Sequence, residues 1–410
     1  MVERPTEEGL MAAPPTSLDG VIVADFTRVF SGPFCSQILG DLGADVIKVE
    51  RVEVGDEARL FGVKKDGPLP GTAFLSHNRN KRSIAIDLKA ESGKEIARRL
   101  AARADVLVHN FRPGVMERLG LGYDELRQDN PGLIYCEISG FGFDGPLRNR
   151  AANDLQIQAY SGLLSITGEP DRPPVRNAAS VSDLTSGLYA AVGILSALIE
   201  RSASGEGQLV RTSMLGGQLN MVNHFLSDFI RQGTVPQRWG TSTELGLPNQ
   251  VFETEDGAIC FTSPNQSAWE RTCGALGIPE KALDARFATL ADRYANRDAL
   301  IATVAEAVKK FTSEEALGRL DAVGVPCAPV NYIPDVAVDP QVHATGAIAE
   351  VELPSGERVS LVQTPIEFGR TPVRNRIPPP EHGQHTAEIL ADLGFGEDEI
   401  ADLRGKGEIA

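Results

Sequence analysis

The first 140 residues alternate between strand-like and helix-like patterns, and this alternation constrains the fold more than any other feature of the chain. Short apolar runs predict buried strands, and the amphipathic runs between them predict helices. Strands that alternate with helices form a parallel sheet covered by those helices. The sequence therefore predicts an α/β fold, with strands at Val21–Phe26, Asp45–Val49, Ser83–Asp87, Val106–Asn110 and Leu133–Ser139.

The second half of the chain predicts one buried helix followed by a smaller α+β region. Residues 184–201 are apolar on nearly all sides, which is typical of a helix buried in a core. A strand ending at Ser213 and a single long helix over Met214–Arg231 come next. The run 251–261 predicts a hairpin that turns at Asp256–Gly257, because Asp-Gly supplies the positive φ of a tight turn. Later predicted elements are helices at 267–276, 290–311 and 313–322, the last with Ser313 as N-cap, a short sheet at 348–352 and 359–362, and a closing helix after Thr386.

Length and composition divide the chain into domains. At roughly 150 residues a domain, 410 residues suggest two or three. A shift toward Gly, Pro, Thr and Asn at 233–250 marks a border. We predict a flexible leader over residues 1–16, a large Rossmann-like domain built from 17–225 and 335–410, and a smaller domain inserted at 226–334.

The acidic composition excludes several classes of partner. Forty basic and fifty-six acidic side chains give a net charge of −16, so no global field favours nucleic acid or anionic lipid. The longest weakly interrupted apolar stretch, Leu188–Ile199, is well short of the ~20 residues that a membrane helix needs. The acidic start of the sequence lacks the apolar region of a signal peptide. We expect a cytoplasmic protein that binds neither nucleic acid nor membrane.

Neither the cysteines nor the histidines form a metal-binding pattern. The five cysteines are scattered and include no C-x-x-C pair, which argues against a zinc site or a disulfide framework. None of the six histidines belongs to an H-E-x-x-H motif. We therefore expect no metal cofactor.

One glycine-rich segment matches a dinucleotide-binding fingerprint only in part. Gly140–Gly145 reads G-x-G-x-x-G and follows a predicted strand. Pro146 follows at once, however, and the next helical pattern begins only near Asn153. No second strand with a terminal acid appears about twenty residues further on, as a nicotinamide site requires. We expect no nicotinamide cofactor.

Carboxylate chemistry is the reactivity that the sequence leaves open. The chain has no P-loop, no G-x-S-x-G elbow and no protein-kinase signature. Asp183 stands where the buried helix begins, and there the backbone N–H groups and the helix dipole favour an ionised carboxylate. Such a residue can serve as a helix cap, as a nucleophile, or as both. From the residues alone, the two interpretations stay open.

Several ordered segments resemble the class III coenzyme A transferases, a family that includes formyl-CoA transferase. The resemblance spans roughly residues 17 to 408. It is carried by Leu18–Pro33, Leu42–Arg51, Asn80–Lys89, Val108–Gly114, Ser139–Pro146, Gln158–Gly162, Gly205–Gln208, Gly324–Val330 and Gly383–Thr386. By this resemblance the chain is an enzyme that moves CoA from an acyl-CoA to a carboxylic acid, and it forms an interlocked homodimer.

The resemblance implies that Asp183 is the nucleophile. In that mechanism its carboxylate attacks the thioester, an acyl-aspartyl anhydride forms, and the released CoA thiolate converts it into an aspartyl-CoA thioester. One thioester is exchanged for another, so neither ATP nor a metal is needed. Positioning and oxyanion stabilisation are then the main tasks of the protein.

Two alternatives accompany this hypothesis. The family also contains α-methylacyl-CoA racemases, which use a Gly-His-Asp triplet, but here that triplet reads Ala152-Asn153-Asp154. Asn153 cannot shuttle a proton at neutral pH, which favours transfer over racemisation. Asp154 is predicted as a supporting carboxylate, or simply as the cap of its own helix. The second alternative is a CoA-binding protein without catalysis, in which Asp183 only caps.

The resemblance also assigns positions that bind CoA and marks two departures. The implied CoA-binding residues are Val29, Arg51, Ile86, Lys89, Asn110, Phe111 and Arg118. Formyl-CoA transferase carries a glycine run in its second domain, whereas this chain has only one glycine in residues 244–250. Phe30 replaces a polar glutamine of that enzyme. The first departure predicts an acceptor other than oxalate and a lid that closes differently, and the second weakens an assignment to a small dicarboxylate.

Overall fold

The computed structural model describes residues 15–62, 70–243 and 246–410. Most of the predicted leader lies outside the described residues. In chain order the strands are β1 (Ile22–Asp25), β2 (Asp45–Glu50), β3 (Lys81–Ala85), β4 (Val106–His109), β5 (Ile134–Ser139), β6 (Leu209–Ser213), β7 (Asn249–Glu253), β8 (Ala258–Thr262), β9 (Cys327–Pro329), β10 (Ile348–Glu352) and β11 (Arg358–Val362).

The helices of the described chain lie before, between and after these strands. They are α1 (Ser31–Asp41), α2 (Thr72–Leu75), α3 (Glu91–Arg103), α4 (Val115–Arg118), α5 (Tyr123–Asp129), α6 (Asp154–Tyr160), α7 (Leu163–Ile166), α8 (Val181–Ser204), α9 (Met214–Met221), α10 (Asn223–Gln232), α11 (Gln266–Ala275), α12 (Leu290–Ala295), α13 (Arg297–Val308), α14 (Ser313–Asp321), α15 (Ile333–Val338), α16 (Pro340–Ala344), α17 (Thr386–Asp392) and α18 (Glu397–Gly405). Two short 3-10 helices cover Glu57–Leu60 and Pro279–Leu283.

The first six strands form one parallel sheet in the order β3-β2-β1-β4-β5-β6. Ile22 pairs with Asp45 of β2, and on the other side Val23 pairs with Val106 of β4. The strand order reverses between β1 and β4. In doubly wound sheets of this order, ligands bind outside the carboxyl ends of the strands at the reversal. The predicted α/β fold with a parallel sheet is confirmed.

Side chains from the two faces of the sheet form two apolar cores. On one face Ala24 and Ile47 pack with residues of α3, α17 and α18. On the other face Val23 and Val46 pack with residues of α1 and α8. This alternation follows from the period of two along a strand. The sheet is therefore buried on both sides and presents its carboxyl edge to ligands.

The end of the chain covers the free side of β3. The Asp87 N–H donates to the Glu408 carbonyl at 2.9 Å, and the Ala410 N–H donates to the Ala85 carbonyl at 3.3 Å. Ile86 and Ile409 form an antiparallel bridge between these contacts. The edge strand thus has partners on both sides, although one of them is supplied by the last residues of the chain.

The described chain divides into two units. The first comprises the described residues up to Ser161 with Ala178–Asn223 and Ala344–Ala410, and the second comprises Gly162–Asn177 and His224–His343. In the second unit β7, β8 and β9 form an antiparallel sheet whose core includes Trp269. The hairpin predicted at Asp256–Gly257 is found between β7 and β8. The division of the chain into independent domains with the predicted boundaries stays a prediction.

Three sequence-based expectations about helices were wrong. The single helix predicted over Met214–Arg231 is two helices, which break at Val222. The N-cap of α14 is Thr312 and not Ser313. The single helix predicted at 290–311 is also two helices, α12 and α13, which are separated at Asn296.

By length and composition alone α8 could cross a membrane. Its buried side, which includes Ala190, Ala191 and Ile194, packs against the sheet with α1. A core helix of a folded domain passes the same test of length and composition.

Candidate active site

Asp183 is half-buried in the first turn of α8, three residues after the N-cap Ser180. It is therefore not the N-cap residue itself. Gly187, one turn further on, contacts the start of α1, where a Cβ built on it would lie 2.5 Å from the Ser31 carbonyl oxygen. Residues four apart share one face of a helix. Asp183 thus lies on the face of α8 that is turned toward α1.

Two helix N-termini meet at this edge of the sheet. The helix α1 follows β1 directly, so it begins at the carboxyl edge. The helix α8 precedes the parallel strand β6, so it ends at the amino edge and begins at the carboxyl edge. The N-terminus of a helix carries a partial positive charge. The site of Asp183 therefore favours a carboxylate, and it also favours an oxyanion that develops beside it.

The carboxylate of Asp154 fixes the first turn of α8. Its Oδ1 accepts the Ser182 N–H at 3.1 Å and the Ser182 Oγ–H at 2.6 Å, and its Oδ2 accepts the Gln158 side-chain N–H at 2.7 Å. Asp154 is only 3% exposed. The N-cap of its own helix is Asn153, so Asp154 does not serve as that cap. It holds instead the residue that precedes Asp183.

A buried charge network underlies the loop between β1 and α1; its members are Asp25, Lys48, Glu50, Asp56, Arg59 and Lys81. The Lys81 Nζ lies 3.1 Å from Asp25 Oδ2, and the Lys48 Nζ lies 2.8 Å from Asp56 Oδ2. Asp25 also accepts the Thr27 N–H at 2.8 Å. Buried charges are retained only where they are paired and hydrogen-bonded. The network therefore ties this loop firmly to the sheet.

The members of the network respond differently to their neighbours. Burial alone would raise the pKa of Asp25, but Lys81 and Lys48 outweigh it and hold that pKa below its usual value. Burial lowers the pKa of Lys81 to about 8, because Asp25 offsets only part of the desolvation and Lys48 adds repulsion. Asp25 thus faces two ammonium groups, and of these Lys81 is the one whose pKa is lowered.

The same loop places Val29 in an unusual backbone conformation. Val29 has a φ of 69°, in the left-handed region that a β-branched residue rarely adopts. Its N–H donates to Asp56 Oδ1 at 3.1 Å. Strained backbone of this kind persists where surrounding contacts fix it and is frequent at ligand sites.

A cavity of about 390 Å³ opens at the carboxyl ends of β1, β2, β3 and β4. Of the predicted CoA-binding residues, Arg51, Ile86, Lys89 and Phe111 line it. Arg51 follows β2, Ile86 and Lys89 follow β3, and Phe111 follows β4. The geometry therefore brings together residues from three segments that lie far apart in the sequence.

The other three predicted CoA-binding residues do not line this cavity. Asn110 clamps the neighbouring loop: its Nδ2 donates to the Arg28 carbonyl at 2.7 Å and its Oδ1 accepts the Arg28 N–H at 2.9 Å. Val29 is the next residue of that loop. Arg118 ends α4, beside Gly114. These three residues surround the cavity without forming its wall.

Two arginines in the cavity wall were missed by the sequence-based prediction. Arg28 and Arg112 both line the cavity. The Arg28 guanidinium lies over the Phe111 ring, 4.6 Å from its centroid. Their positions in the sequence could have indicated them, because Arg28 follows β1 and Arg112 follows β4, the two strands at which the strand order reverses.

Other candidate sites have less support in the described part of the chain. Across residues 15–62, 70–243 and 246–410, no group of three or more His, Cys, Asp and Glu could hold a metal ion. After β5, the segment Gly140–Gly145 leads into bends and turns, and the next helix begins at Asp154. The prediction about the missing glycine run falls partly on residues 244–245, which lie outside the described residues.

Comparisons with known proteins identify the family of this chain. Residues 18–386 match CoA-transferase family III. The human succinyl-CoA:glutarate CoA-transferase is 36% identical over 393 residues, covering 96% of this chain and 90% of that protein. The formyl-CoA:oxalate CoA-transferase of Rhodopseudomonas palustris is 34% identical over 417 residues, covering 96% and 97%. A crystal structure of a CAIB/BAIF family protein from Brucella suis superposes with a TM-score of 0.83 at 37% identity, covering 92% of this chain and 100% of that one. The chain therefore belongs to CoA-transferase family III and is a CoA-transferase.

Proposed function

We propose that this enzyme transfers CoA between carboxylic acids through covalent intermediates on Asp183. The observation that carries the proposal is the position of Asp183, in the first turn of α8 and on the face turned toward the start of α1. Asp154 holds the preceding residue through two hydrogen bonds, which supports a fixed reacting carboxylate. A nucleophile held in this way needs little reorganisation before attack.

The proposed reaction begins with attack of an Asp183 carboxylate oxygen on the thioester carbonyl carbon. The C–S bond breaks, the CoA thiolate leaves, and an acyl-aspartyl anhydride remains. The thiolate then attacks the aspartyl carbonyl carbon, which releases the donor acid and leaves an aspartyl-CoA thioester. The acceptor carboxylate attacks this thioester and displaces the thiolate, and the thiolate finally takes the acceptor acyl group and frees Asp183. Each tetrahedral oxyanion forms near two helix N-termini.

Succinyl-CoA and glutarate are the donor and acceptor that we propose first. The names of the relatives above include this pair as well as formyl-CoA and oxalate. Phe30, at the start of α1, packs edge-on against His77 with ring centroids 5.1 Å apart. An aromatic wall favours an acyl chain with methylene groups over formate or oxalate, which have none.

Quenched turnover tests the covalent role of Asp183. Wild-type protein is mixed with radiolabelled succinyl-CoA, quenched in acid within milliseconds and mapped by mass spectrometry of its peptides. We expect label on the peptide that contains Asp183, and exchange below detection in Asp183→Asn. Asp124→Asn, on the exposed surface of α5, serves as the control and should exchange CoA normally. Full exchange by Asp183→Asn, or label confined to other peptides, would contradict the proposal.

Incubation in D2O separates this proposal from racemisation. A chiral 2-methylacyl-CoA is incubated without an acceptor acid, and deuterium at Cα is measured. The transferase mechanism breaks no C–H bond, so we expect no incorporation. Deuterium at Cα would instead support an acyl-CoA racemase.

We also propose that the protein is an interlocked homodimer. The side of α8 turned away from the sheet exposes Leu188, Val192 and Ile199, which share one face, and Tyr189 beside them. An apolar face of this kind is typical of an interface with another copy. Light scattering on the purified protein should give about twice 43.9 kDa, and Leu188→Glu with Val192→Glu should lower it. Leu283→Glu, on an exposed 3-10 helix, is the control. A wild-type mass of one chain would contradict the proposal.

The two units of the structure support a division of the chain into two domains, although Gly162–Asn177 belongs to the second unit. We infer that the large domain, which consists of residues 17–225 and 335–410, holds the cavity and Asp183, and that the inserted domain is 226–334. Limited proteolysis should cut first near these borders and release a stable fragment of the inserted domain. Uniform cutting within β7–β9 would contradict this division.

A further inference from the structure

The cavity at the carboxyl edge of the sheet has an uneven distribution of charge. Four cationic side chains line it, and they are Arg28, Arg51, Lys89 and Arg112. Its four acids are Glu50, Glu53, Asp56 and Asp87, and two of them bond to buried cations outside the wall, because Glu50 bonds to Arg59 and Asp56 bonds to Lys48. The four cations of the wall therefore outnumber its two remaining acids, although the whole chain is strongly acidic.

Two of these cations share a single carboxylate oxygen. Arg28 Nη1 lies 3.2 Å from Glu57 Oε1, and Arg51 Nη2 lies 2.9 Å from the same atom. The second oxygen of Glu57 is buried and receives no hydrogen bond from the described residues. Glu57 itself is not part of the cavity wall. It therefore holds two guanidinium groups side by side from behind the wall.

The backbone and ring contacts of Arg28 restrict it further. Both its N–H and its carbonyl are bonded to the Asn110 side chain. Its guanidinium lies over the Phe111 ring, which also lines the cavity. Arg28 is thus fixed at three points, whereas surface arginines are usually mobile.

Stability alone does not account for this arrangement. All three side chains are about one third to one half exposed, and exposed ion pairs contribute roughly 0–1 kcal/mol. Two guanidinium groups on one oxygen also repel each other. Adjacent planar forks, however, match the oxygens of a phosphate group.

We propose that Arg28 binds a phosphate group of CoA beside Arg51, and that Glu57 positions both arginines. This inference rests on the proposed function, since it takes a CoA thioester as the ligand. The ligand chemistry is a phosphate monoester or a diphosphate, and CoA carries one of each. Arg28 is then a binding residue, and Glu57 is a positioning residue that does not touch the ligand.

Steady-state kinetics with succinyl-CoA and glutarate test the proposal. Arg28→Met keeps the apolar stem but removes the charge, and it should raise the KM for succinyl-CoA about 10- to 100-fold, the value of a hydrogen bond to a charged group. We expect kcat to stay within about twofold, because a contact with the phosphate is made equally in the bound substrate and in the transition state. Arg28→Lys should recover part of the loss. Glu57→Gln should raise the KM by a smaller factor, and the double variant should be less impaired than the product of the two effects.

Three comparisons make the result decisive. Arg127→Met, on the exposed surface of α5, is the matched control and should leave the KM unchanged. With 3′-dephospho-succinyl-CoA, the effect of Arg28→Met should vanish if Arg28 binds the monoester, and it should persist if Arg28 binds the diphosphate. Either result supports the proposal, whereas an unchanged KM with both thioesters overturns it.

Direct titration with CoA separates this inference from the proposed function. If wild-type protein exchanges no CoA, the proposed function fails, but calorimetric titration of wild type and Arg28→Met with CoA still tests Arg28. We expect the dissociation constant to rise by the same factor as the KM, with a weaker dependence on salt. Equal dissociation constants, in variants with wild-type circular dichroism, would overturn the inference.

Discussion

Replacing Gly187 by alanine should misplace the candidate nucleophile while leaving the protein folded. The added Cβ would lie 2.5 Å from the Ser31 carbonyl oxygen and 3.1 Å from Phe34 Cδ1. Restoring an ordinary contact of 3.4 Å to that oxygen requires a displacement of about 0.9 Å. Because α1 and α8 both pack on the sheet, part of this displacement must be taken up by the first turn of α8, where Asp183 lies.

The expected loss of activity is larger than the loss of stability. A misplacement of roughly 1 Å costs about 100-fold in rate. Overpacking costs about 1–3 kcal/mol, but alanine regains up to ~1 kcal/mol of helix propensity relative to glycine. We therefore expect kcat for CoA exchange to fall about 100-fold, while the free energy of unfolding in urea falls by about 2 kcal/mol or less.

A second glycine in a helix provides the control. Gly318 lies in α14, where a built Cβ meets no atom of the described residues within 4 Å. Gly318→Ala should therefore stabilise the protein slightly and leave kcat unchanged. A Gly187→Ala variant with wild-type kcat would refute the argument that the close contact of α1 with α8 positions Asp183.

Three further predictions follow from the buried polar groups. Asp154→Ala removes the acceptor of two Ser182 hydrogen bonds, so we expect the free energy of unfolding in urea to fall by about 2–4 kcal/mol and kcat to fall as well, with a smaller loss in Asp154→Asn. Equal stability of wild type and both variants would contradict this. Although burial raises the pKa of Asp25 and Glu50, nearby cations hold each pKa below its ordinary value; the stability they contribute is present above about pH 4.5 and should be lost as the pH falls further, as urea unfolding between pH 6 and 3 will measure. The pKa of Lys81 is about 8 in the folded protein and 10.5 in the unfolded chain, so the unfolded chain binds more protons between these two pH values. The free energy of unfolding of wild type, relative to Lys81→Met, should therefore rise by up to about 3 kcal/mol from pH 8 to 10.5. A difference between the two proteins that does not change with pH would argue against a buried ammonium.

The parallel sheet could be predicted because its strands are short apolar runs separated by helical patterns. Each predicted strand of the first 140 residues begins and ends within two residues of an observed strand. The break at Val222 could not be predicted, because neither Gly nor Pro interrupts the apolar pattern there. The N-cap of α14 was available in the sequence, since Thr312 and Glu315 form a capping box.

The candidate site was only partly accessible from the sequence. Asp183 and Asp154 could be singled out, but their connection through Ser182 joins helices that are far apart in the chain. The contact of Arg28 with Asn110 likewise depends on β1 lying beside β4, and an alternating pattern does not fix the order of strands. Family resemblance supplied the predicted CoA-binding positions, whereas the clustering of Arg28 and Arg51 at Glu57 required coordinates.

The pairing of the last residues with β3 has a practical consequence for making this protein. During synthesis, β3 reaches the ribosome exit long before Glu408 and Ala410 do, so the end of that strand waits without this partner until residues 408–410 have been made. An uncovered strand edge invites association with other chains. Fusion tags placed directly after Ala410 should therefore lower the soluble yield, and a flexible spacer should restore it.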